Sequence, residues 1–354
     1  MRLTVTPKRK NEYVATYRYR QIDETSGICA STALICIRGT RFGCGFVPTM
    51  TVADVSTLPE YRNRGLVREM LETAHKKARE YGAYVALLHP FSFDFYRKFG
   101  YEKVSDSVSA TLALSVLNAF SAHTSLVPLE EKYYGDLLAL FRVFSQNRNL
   151  MFDRYNTASF LKKKEEIYIY VYRETLCGYI SIKKDIERKN ITVTEMAFSS
   201  PDSLTSLLAH LKGYANDFET VCFADVEPIP ELYSLFKGLD VTYESRGDLA
   251  ARILDTEGLL SAIDYPTEHG EFTLRVIDTL PDVAGVFKVT YENNKGIAER
   301  LPDSVVADVT ASAPVLLRRI YGCDESCEGF ILHGDASDFF RAFPKRINGL
   351  FEHF

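Results

Sequence analysis

The stretch Val55-Ser-Thr-Leu-Pro-Glu-Tyr-Arg-Asn-Arg-Gly-Leu-Val-Arg68 carries the most information about the fold. An apolar strand pattern ends at Thr57, a turn follows, and an amphipathic helix is predicted to begin near Gly65. A helix N-terminus presents unpaired N–H groups and attracts anions. Three basic residues of the stretch lie beside it: Arg62, Arg64 and Arg68. The order therefore predicts an anion-binding loop, although an ordinary strand-to-helix turn with solvated arginines fits the same spacing.

The residues around this stretch predict an α+β unit. The first predicted elements are a hairpin within 30–56, the helix from Gly65 with Gly82 as its stop, a buried strand over 84–88 and a short helix over 93–99. A second unit repeats this order, with strands over 108–116, 167–172, 176–183 and 190–198 and helices over 133–144 and 203–214. A third begins near Ile253, with a helix over 256–263, strands over 271–277, 285–291 and 304–310, and short helices towards Phe354.

The composition is that of a soluble globular protein with two or three domains, because the 354 residues are 46% apolar and 25% charged. A net charge of −5 argues against sequence-independent binding to nucleic acid, which depends on Lys and Arg. The sequence contains no apolar run of about 18 residues and begins without the apolar stretch of a secretory signal. We therefore expect a cytoplasmic protein without a membrane segment.

Cysteine and histidine patterns give little sign of a metal site or a hydrolase. The seven cysteines form no Cys-x-x-Cys pair, so we expect reduced thiols and no metal, with Cys323 and Cys327 as a weak exception. There is no Gly-x-Ser-x-Gly elbow, and the seven histidines are scattered. His89, between a predicted strand and Pro90, is interpreted as a core or turn histidine.

Two motifs resemble those of a known enzyme family. Arg62-Asn-Arg-Gly-Leu-Val67 resembles the Arg/Gln-x-x-Gly-x-Gly/Ala pyrophosphate loop of GNAT acetyltransferases, with valine at the last position. Together with Phe95-Tyr-Arg-Lys-Phe-Gly-Tyr101, the loop is similar to the Eis family, the enhanced intracellular survival acetyltransferases. Leu249-Ala-Ala-Arg-Ile-Leu-Asp255 looks like the entry into that family's third domain.

The resemblance implies tandem GNAT domains followed by a sterol-carrier-protein-like domain, often assembled as a hexamer. The implied domains are a catalytic one over 1–118, a non-catalytic one over 119–252 and the sterol-carrier-like one over 253–354. Only about 30 residues precede the first predicted hairpin, so the N-terminal helices that wall the family's acceptor pocket are expected to be shortened. The second domain has Phe198-Ser-Ser-Pro-Asp-Ser203 at the equivalent turn and is not expected to bind coenzyme A.

The resemblance also implies roles for individual residues. Tyr96 is expected to protonate the departing thiolate and the terminal carboxylate of Phe354 to act as the base, with Tyr101 as the rival acid. The alternative for Tyr96 is packing against the sheet. The residues expected to hold acetyl-CoA are Val55, Ser56, Thr57, Arg62, Asn63, Arg64, Gly65, Leu66, Val67, Arg68 and Ser92.

The expected function is acetyl-CoA-dependent N-acetylation of a primary amine on an aminoglycoside, a polyamine or a protein lysine. No metal, nucleic acid or membrane partner is expected. The alternative is a binding or scaffold protein that holds an apolar ligand in the groove of its sterol-carrier-like domain.

Overall fold

The computed structural model describes residues 1–10, 14–121, 125–161, 165–323 and 326–351. The chain divides into two units, each built from two separate parts of the sequence. Unit 1 contains Met1–Ser105 and Asp248–Arg346, and unit 2 contains Asp106–Gly247 and Ile347–Phe351. The chain thus passes between the units after Ser105, after Gly247 and after Arg346.

Unit 1 begins with a sheet and two helices. Its elements are β1 (Arg2–Lys10), β2 (Ala15–Ile22), β3 (Cys29–Phe42), β4 (Gly45–Thr57), α1 (Leu66–Glu80), β5 (Val85–Leu88) and α2 (Phe93–Arg97). Neighbours from β1 to β4 are antiparallel, whereas β4 and β5 are parallel because α1 crosses between them.

The described residues before β3 form two strands and no helix, which agrees with the expectation that the N-terminal helices are reduced. In β2 the side chains of Tyr17, Tyr19 and Gln21 are buried and alternate with more exposed neighbours, which is the period of a half-buried strand. Strand β1 is mostly exposed at the edge of the sheet.

Helix α1 matches its prediction. Its buried side chains include Met70, Leu71 and Ala74, which pack with Tyr17 and Tyr19 against the sheet. Full burial of a Leu or Met side chain contributes about 1.5–3 kcal/mol. The helix ends at Glu80, and Gly82 follows with φ +75°.

Unit 2 has its own sheet, packed with helices. Its elements are most of β6 (Glu102–Ala113), β7 (Val127–Pro128), α3 (Tyr134–Phe144), β8 (Arg148–Asn149), β9 (Glu166–Tyr172), β10 (Thr175–Asp185), β11 (Asn190–Phe198), α4 (Pro201–Leu211), β12 (Thr220–Phe223) and α5 (Glu231–Leu235). Among the described residues, the strand order of this sheet is β7-β9-β10-β11-β12-β6, in which β11 and β12 are parallel and the other neighbours are antiparallel.

The last strand of each sheet comes from a distant part of the chain. Strand β13 (Thr242–Ile253) begins at the end of the long segment of unit 2 and continues into unit 1, where its residues 250–253 pair antiparallel with β5. The strand that directly follows the β5 and α2 segment is β6, whose residues 110–113 pair with β12. Both sheets therefore show four antiparallel strands, a parallel step across a helix and an antiparallel closing strand.

The remaining residues of unit 1 form a second sheet. Its elements are α6 (Thr256–Ala262), β14 (Gly270–Ile277), β15 (Gly285–Glu292), β16 (Lys295–Leu301), β17 (Val309–Ser312), α7 (Ala313–Ile320), β18 (Phe330–Leu332) and α8 (Ser337–Ala342). The strand order is β16-β15-β14-β17-β18. The predicted strand over 304–310 is wrong over most of its length, because the strand begins only at Val309 and Val306, before it, is 77% exposed.

A short strand, β19 (Ile347–Asn348), pairs with β8 in unit 2. Within the part of the chain that the structure describes, no helix is long and apolar enough to cross a membrane.

Candidate functional site

Strand β4 separates from β5 before it ends. Their parallel pairing covers only residues 49–52 of β4. The register between β3 and β4 shifts just beyond this point, where β4 has an extra residue and Asp54 has φ +48°. This β-bulge turns the end of β4, so among the described strands residues 53–57 have a partner only on the β3 side. Backbone groups of Val55–Thr57 on the other side can bind a ligand.

The turn after β4 presents the N-terminus of α1 without a side-chain cap. Residues 59–61 form one 3₁₀ turn, Asn63 and Gly65 have φ +61° and +75°, and Gly65 is the N-cap. A glycine cannot cap the helix with a side chain, so the N–H groups of the first turn remain open to an anion. A Cβ built on Gly65 would have no heavy atom within 4 Å among the described residues, so this glycine faces open space.

Neighbouring contacts orient the arginines of the turn. Arg62 Nε donates to the Thr57 carbonyl at 3.4 Å, and Arg64 donates to the Glu60 carbonyl at 2.7 Å while lying over the Tyr61 ring. The guanidinium of Arg68 lies 5.1 Å from the centre of the Phe99 ring and 3.7 Å from Glu72. Each guanidinium has five N–H donors, so these contacts leave donors for a ligand.

A cavity of about 730 Å³ joins these features. Its lining residues are Val55, Ser56, Thr57, Tyr61, Arg62, Asn63, Arg64, Gly65, Leu66, Val67, Arg68, Phe91, Phe95, Lys98 and Phe99. All of the predicted cofactor residues except Ser92 are among them. The charged lining residues are all cations, which suits an anionic ligand.

One wall of the cavity is aromatic and was not predicted. Phe91, Phe95 and Phe99 are four residues apart, and the ring centres of neighbours in this series lie 5.0 and 5.3 Å apart. The four-residue spacing was the available sequence signal, although only Phe95 of the three lies within α2. Tyr61 and Lys98 were also missed. A basic end and an aromatic wall together fit an elongated ligand with an anionic part and an apolar part.

Ser92 caps α2. Its Oγ accepts the N–H of Phe95 at 3.3 Å, and the residue does not belong to the cavity lining. Its contact with the cofactor stays a prediction.

Tyr96 lies directly behind the aromatic wall. Its ring packs edge-on against Phe91, Phe95 and Phe99, and the residue is only 2% exposed. The structure shows no hydrogen bond from its hydroxyl to any residue that it describes. Burial raises the pKa of Tyr96 to about 12, so the phenol stays protonated at neutral pH and can act as an acid.

Tyr101, the rival acid, is a core residue. Its side chain is buried, and its hydroxyl lies 2.8 Å from Nε2 of His75. Burial raises the pKa of Tyr101 well above its usual range. The prediction that Tyr101 fills the core is confirmed.

The predicted base, the carboxylate of Phe354, lies outside the described residues and stays a prediction. Just before it, Leu350 and Phe351 are buried in unit 2, where Phe351 stacks on Phe144.

His89 contacts Asp248 at 3.2 Å. Across the described ranges, no group of three or more His, Cys, Asp or Glu side chains is placed to hold a metal ion.

The corresponding turn in unit 2 is built differently. Ser200 is the N-cap of α4, and its Oγ accepts the N–H of Ser203 at 3.2 Å. The Ser200 side chain thus occupies a first-turn N–H group of α4. At the N-terminus of α1, Gly65 has no side chain that could do the same. No basic residue occurs over 199–203.

Comparison with known proteins gives a family match for the part of unit 1 that contains the turn after β4. Residues 4–104 match the family described as the acetyltransferase (GNAT) domain, whereas no curated protein matches the chain. The domain match covers less than a third of the chain but includes β4, the turn, α1 and α2.

Solved structures share the fold over nearly the whole chain. A GCN5-related N-acetyltransferase from Anabaena variabilis ATCC 29413 is 18% identical with a TM-score of 0.84, covering 96% of this chain and 89% of its own. A protein of unknown function from Enterococcus faecalis V583, a probable N-acyltransferase, is 16% identical with a TM-score of 0.79, covering 97% and 90%. Eis1 from Mycobacterium abscessus is 16% identical with a TM-score of 0.72, covering 95% and 90%.

Proposed function

Since residues 4–104 form an acetyltransferase domain of the GNAT type, we propose that the protein transfers the acetyl group of acetyl-CoA to a primary amine. The observation that carries the proposal is the cavity, in which an uncapped helix N-terminus, four cations and an aromatic wall meet. Acetyl-CoA has matching parts, since a pyrophosphate is joined to a long, mostly uncharged arm that ends in the thioester.

The chain's own groups divide the binding between them. The first-turn N–H groups of α1, together with Arg62 and Arg64, hold the pyrophosphate. Backbone groups of Val55–Thr57, which face no strand on the β5 side among the described residues, bind the arm. A backbone N–H there also polarises the thioester carbonyl and stabilises the negative charge that develops on its oxygen.

Proton transfer completes the reaction. The amine nitrogen forms a bond to the acetyl carbon while the carbon–sulfur bond breaks, and Tyr96 gives its phenolic proton to the sulfur. The new amide nitrogen then loses its extra proton to solvent, and the phenolate of Tyr96 regains one from solvent. An alkylamine resembles lysine, with a pKa near 10.4, and must lose a proton before it attacks. The resemblance to the Eis family assigns that proton to the carboxylate of Phe354.

The finer features of the proposal rest on the same resemblance. We assign the protein to an Eis-like group with tandem GNAT domains over 1–118 and 119–252 and a sterol-carrier-like domain over 253–354. The shared strand pattern of the two sheets supports the tandem pair, and the Ser200 cap supports a second domain that does not bind coenzyme A. The same proposal includes three further features. The acceptor is an aminoglycoside, a polyamine or a protein lysine, the assembly is a hexamer, and the location is cytoplasmic.

The test measures free thiol release from acetyl-CoA by the purified protein with a panel of polyamines, aminoglycosides and lysine peptides. We expect thiol release that depends on an amine, with acetylated product confirmed by mass spectrometry. Calorimetry with coenzyme A runs in parallel. Binding without turnover on any amine would favour the scaffold alternative, and absence of binding would overturn the cofactor assignment.

A further inference from the structure

A second, smaller cavity of about 140 Å³ in unit 1 adjoins the first. The two cavities share Arg68, Lys98 and Phe99. The smaller one is lined by Arg68, Leu71, Glu72, His75, Arg79, Lys98, Phe99, Arg252, Thr279 and Leu280. One face of α1, the end of α2 and β13 therefore meet here.

Arg252 is the buried cation of this cavity. It is 7% exposed, and its Nε has no hydrogen-bond partner among the residues that the structure describes. Its NH2 group reaches Asp278 Oδ1 at 3.4 Å, a long contact, and the same oxygen accepts the N–H of Leu280 at 2.9 Å. A buried guanidinium with an unused donor carries a desolvation cost that an anionic ligand would offset.

Gly100 makes room for this guanidinium. It has φ +79°, and a Cβ built on it would lie 2.6 Å from NH1 of Arg252. The close approach holds Arg252 against the end of α2, next to Lys98.

The charge of the cavity favours an anion. Four lining cations, Arg68, Arg79, Lys98 and Arg252, face one carboxylate, Glu72. Arg68 contacts Glu72 at 3.7 Å, and Arg79 contacts Asp282 at 2.9 Å, whereas Lys98 has no ion pair within the described ranges. His75 adds no charge, because burial first and then Arg252 and Arg79 lower its pKa to about 3.

We propose that this cavity binds a phosphate monoester dianion, and that in the acetyl-transfer reaction the group is the 3′-phosphate of the CoA ribose. The assignment rests on the proposed function, because the proposed function places the pyrophosphate of acetyl-CoA in the adjoining, larger cavity. Coenzyme A carries this third phosphate apart from the pyrophosphate. A volume of about 140 Å³ suits one phosphate group and is too small for the nucleoside. Arg68 and Lys98, which line both cavities, lie where they can contact both anionic groups.

The experiment compares binding of acetyl-CoA and acetyl-3′-dephospho-CoA by calorimetry. We expect the wild-type protein to prefer acetyl-CoA by about ten-fold or more, since charge-assisted hydrogen bonds to the phosphate are lost with the dephospho ligand. Arg252→Gln should reduce this preference towards unity and leave affinity for the dephospho ligand nearly unchanged, because Arg252 lines only the smaller cavity. Lys98→Gln should also reduce the preference, but it should weaken binding of the dephospho ligand as well, because Lys98 lines both cavities. Lys76→Gln, at an exposed position of α1 that lines neither cavity, is the matched control and should keep the preference.

A second measurement follows the melting temperature in inorganic phosphate. The two CoA ligands could bind equally tightly while inorganic phosphate raises the melting temperature of the wild type but not of Arg252→Gln. That result would overturn the 3′-phosphate assignment in favour of free phosphate. Equal affinities without that stabilisation would overturn the whole inference. Binding of neither ligand by the wild type would contradict the proposed function instead. Lys98 is exposed, so Lys98→Gln keeps the test decisive if Arg252→Gln fails to fold.

Discussion

The hydroxyl of Tyr101 lies 2.8 Å from Nε2 of His75, and both side chains are buried in unit 1. Burial first, and then the charges of the nearby Arg252 and Arg79, lower the pKa of His75 to about 3. The imidazole is therefore neutral at physiological pH, and the pair is part of the core.

The depressed pKa of His75 predicts a specific dependence of stability on pH. In the unfolded chain histidine titrates near pH 6.5, so between pH 6.5 and about 3 the unfolded state binds the extra proton. The free energy of unfolding should thus fall as pH falls through this window, by about 1 kcal/mol from pH 6 to 5 on account of this group. Urea unfolding at pH 7, 6 and 5 should show a shallower loss for His75→Gln. Identical pH profiles would show that His75 is not protected from protonation.

The role of Tyr96 predicts a defect confined to turnover. Tyr96→Phe should lower kcat by a factor of about 100 to 10,000, because the sulfur loses its positioned acid, while the Kd of acetyl-CoA stays near the wild-type value. Tyr101→Phe is the control, since it loses only the hydrogen bond to His75 and should cost about 1–3 kcal/mol of stability with turnover retained. Unchanged kcat in Tyr96→Phe, with chemistry limiting, would remove Tyr96 from the mechanism.

The cofactor loop is tested at Gly65. Gly65→Asp should weaken acetyl-CoA binding by about ten-fold or more, because it directs a carboxylate towards the expected pyrophosphate position. Gly82→Asp is a close control, since Gly82 has the same φ of +75° and also faces open space, but at the far end of α1. Both variants carry similar backbone strain, so calorimetry isolates the effect of position. Equal affinities in the two variants would place the pyrophosphate elsewhere.

Unit 2 should not bind coenzyme A. Calorimetric titration should give one coenzyme A per chain, because Ser200 caps α4 and the segment 199–203 contains no basic residue. Ser200→Ala should cost about 0.5–2 kcal/mol of stability without changing the affinity. A stoichiometry of two would contradict the assignment.

Sequence reasoning predicted the elements with the clearest apolar period, but it missed β2, whose buried residues also alternate. Helix α1 was predicted because its apolar stripe has helical spacing. Strand β16 was missed because Ala298 is its one buried residue, although the Asn293–Asn294 turn, with positive φ at both residues, was a usable hairpin signal. Strand β1 was missed because it lies exposed at an edge and carries several charges.

The same limit applies to the site. Its anion-binding half follows from one continuous stretch, so the sequence alone predicts Gly65 and the arginines beside it. Arg252 reaches the neighbouring cavity from β13, far along the chain, and its position depends on a strand pairing that no local pattern reveals. The bulge at Asp54 was also invisible, because the residue lies within an otherwise regular strand pattern.

The late arrival of β13 has a consequence for synthesis. While the ribosome is still translating unit 2, the buried residues Val85–Leu88 of β5 are already made but have no closing strand. An uncovered apolar strand edge is a template for pairing with other chains. A nascent or proteolysed chain that stops before Ile253 is therefore expected to aggregate through β5. An acetyltransferase fragment that ends before β13 should need a chaperone or a supplied peptide of β13 to stay in solution.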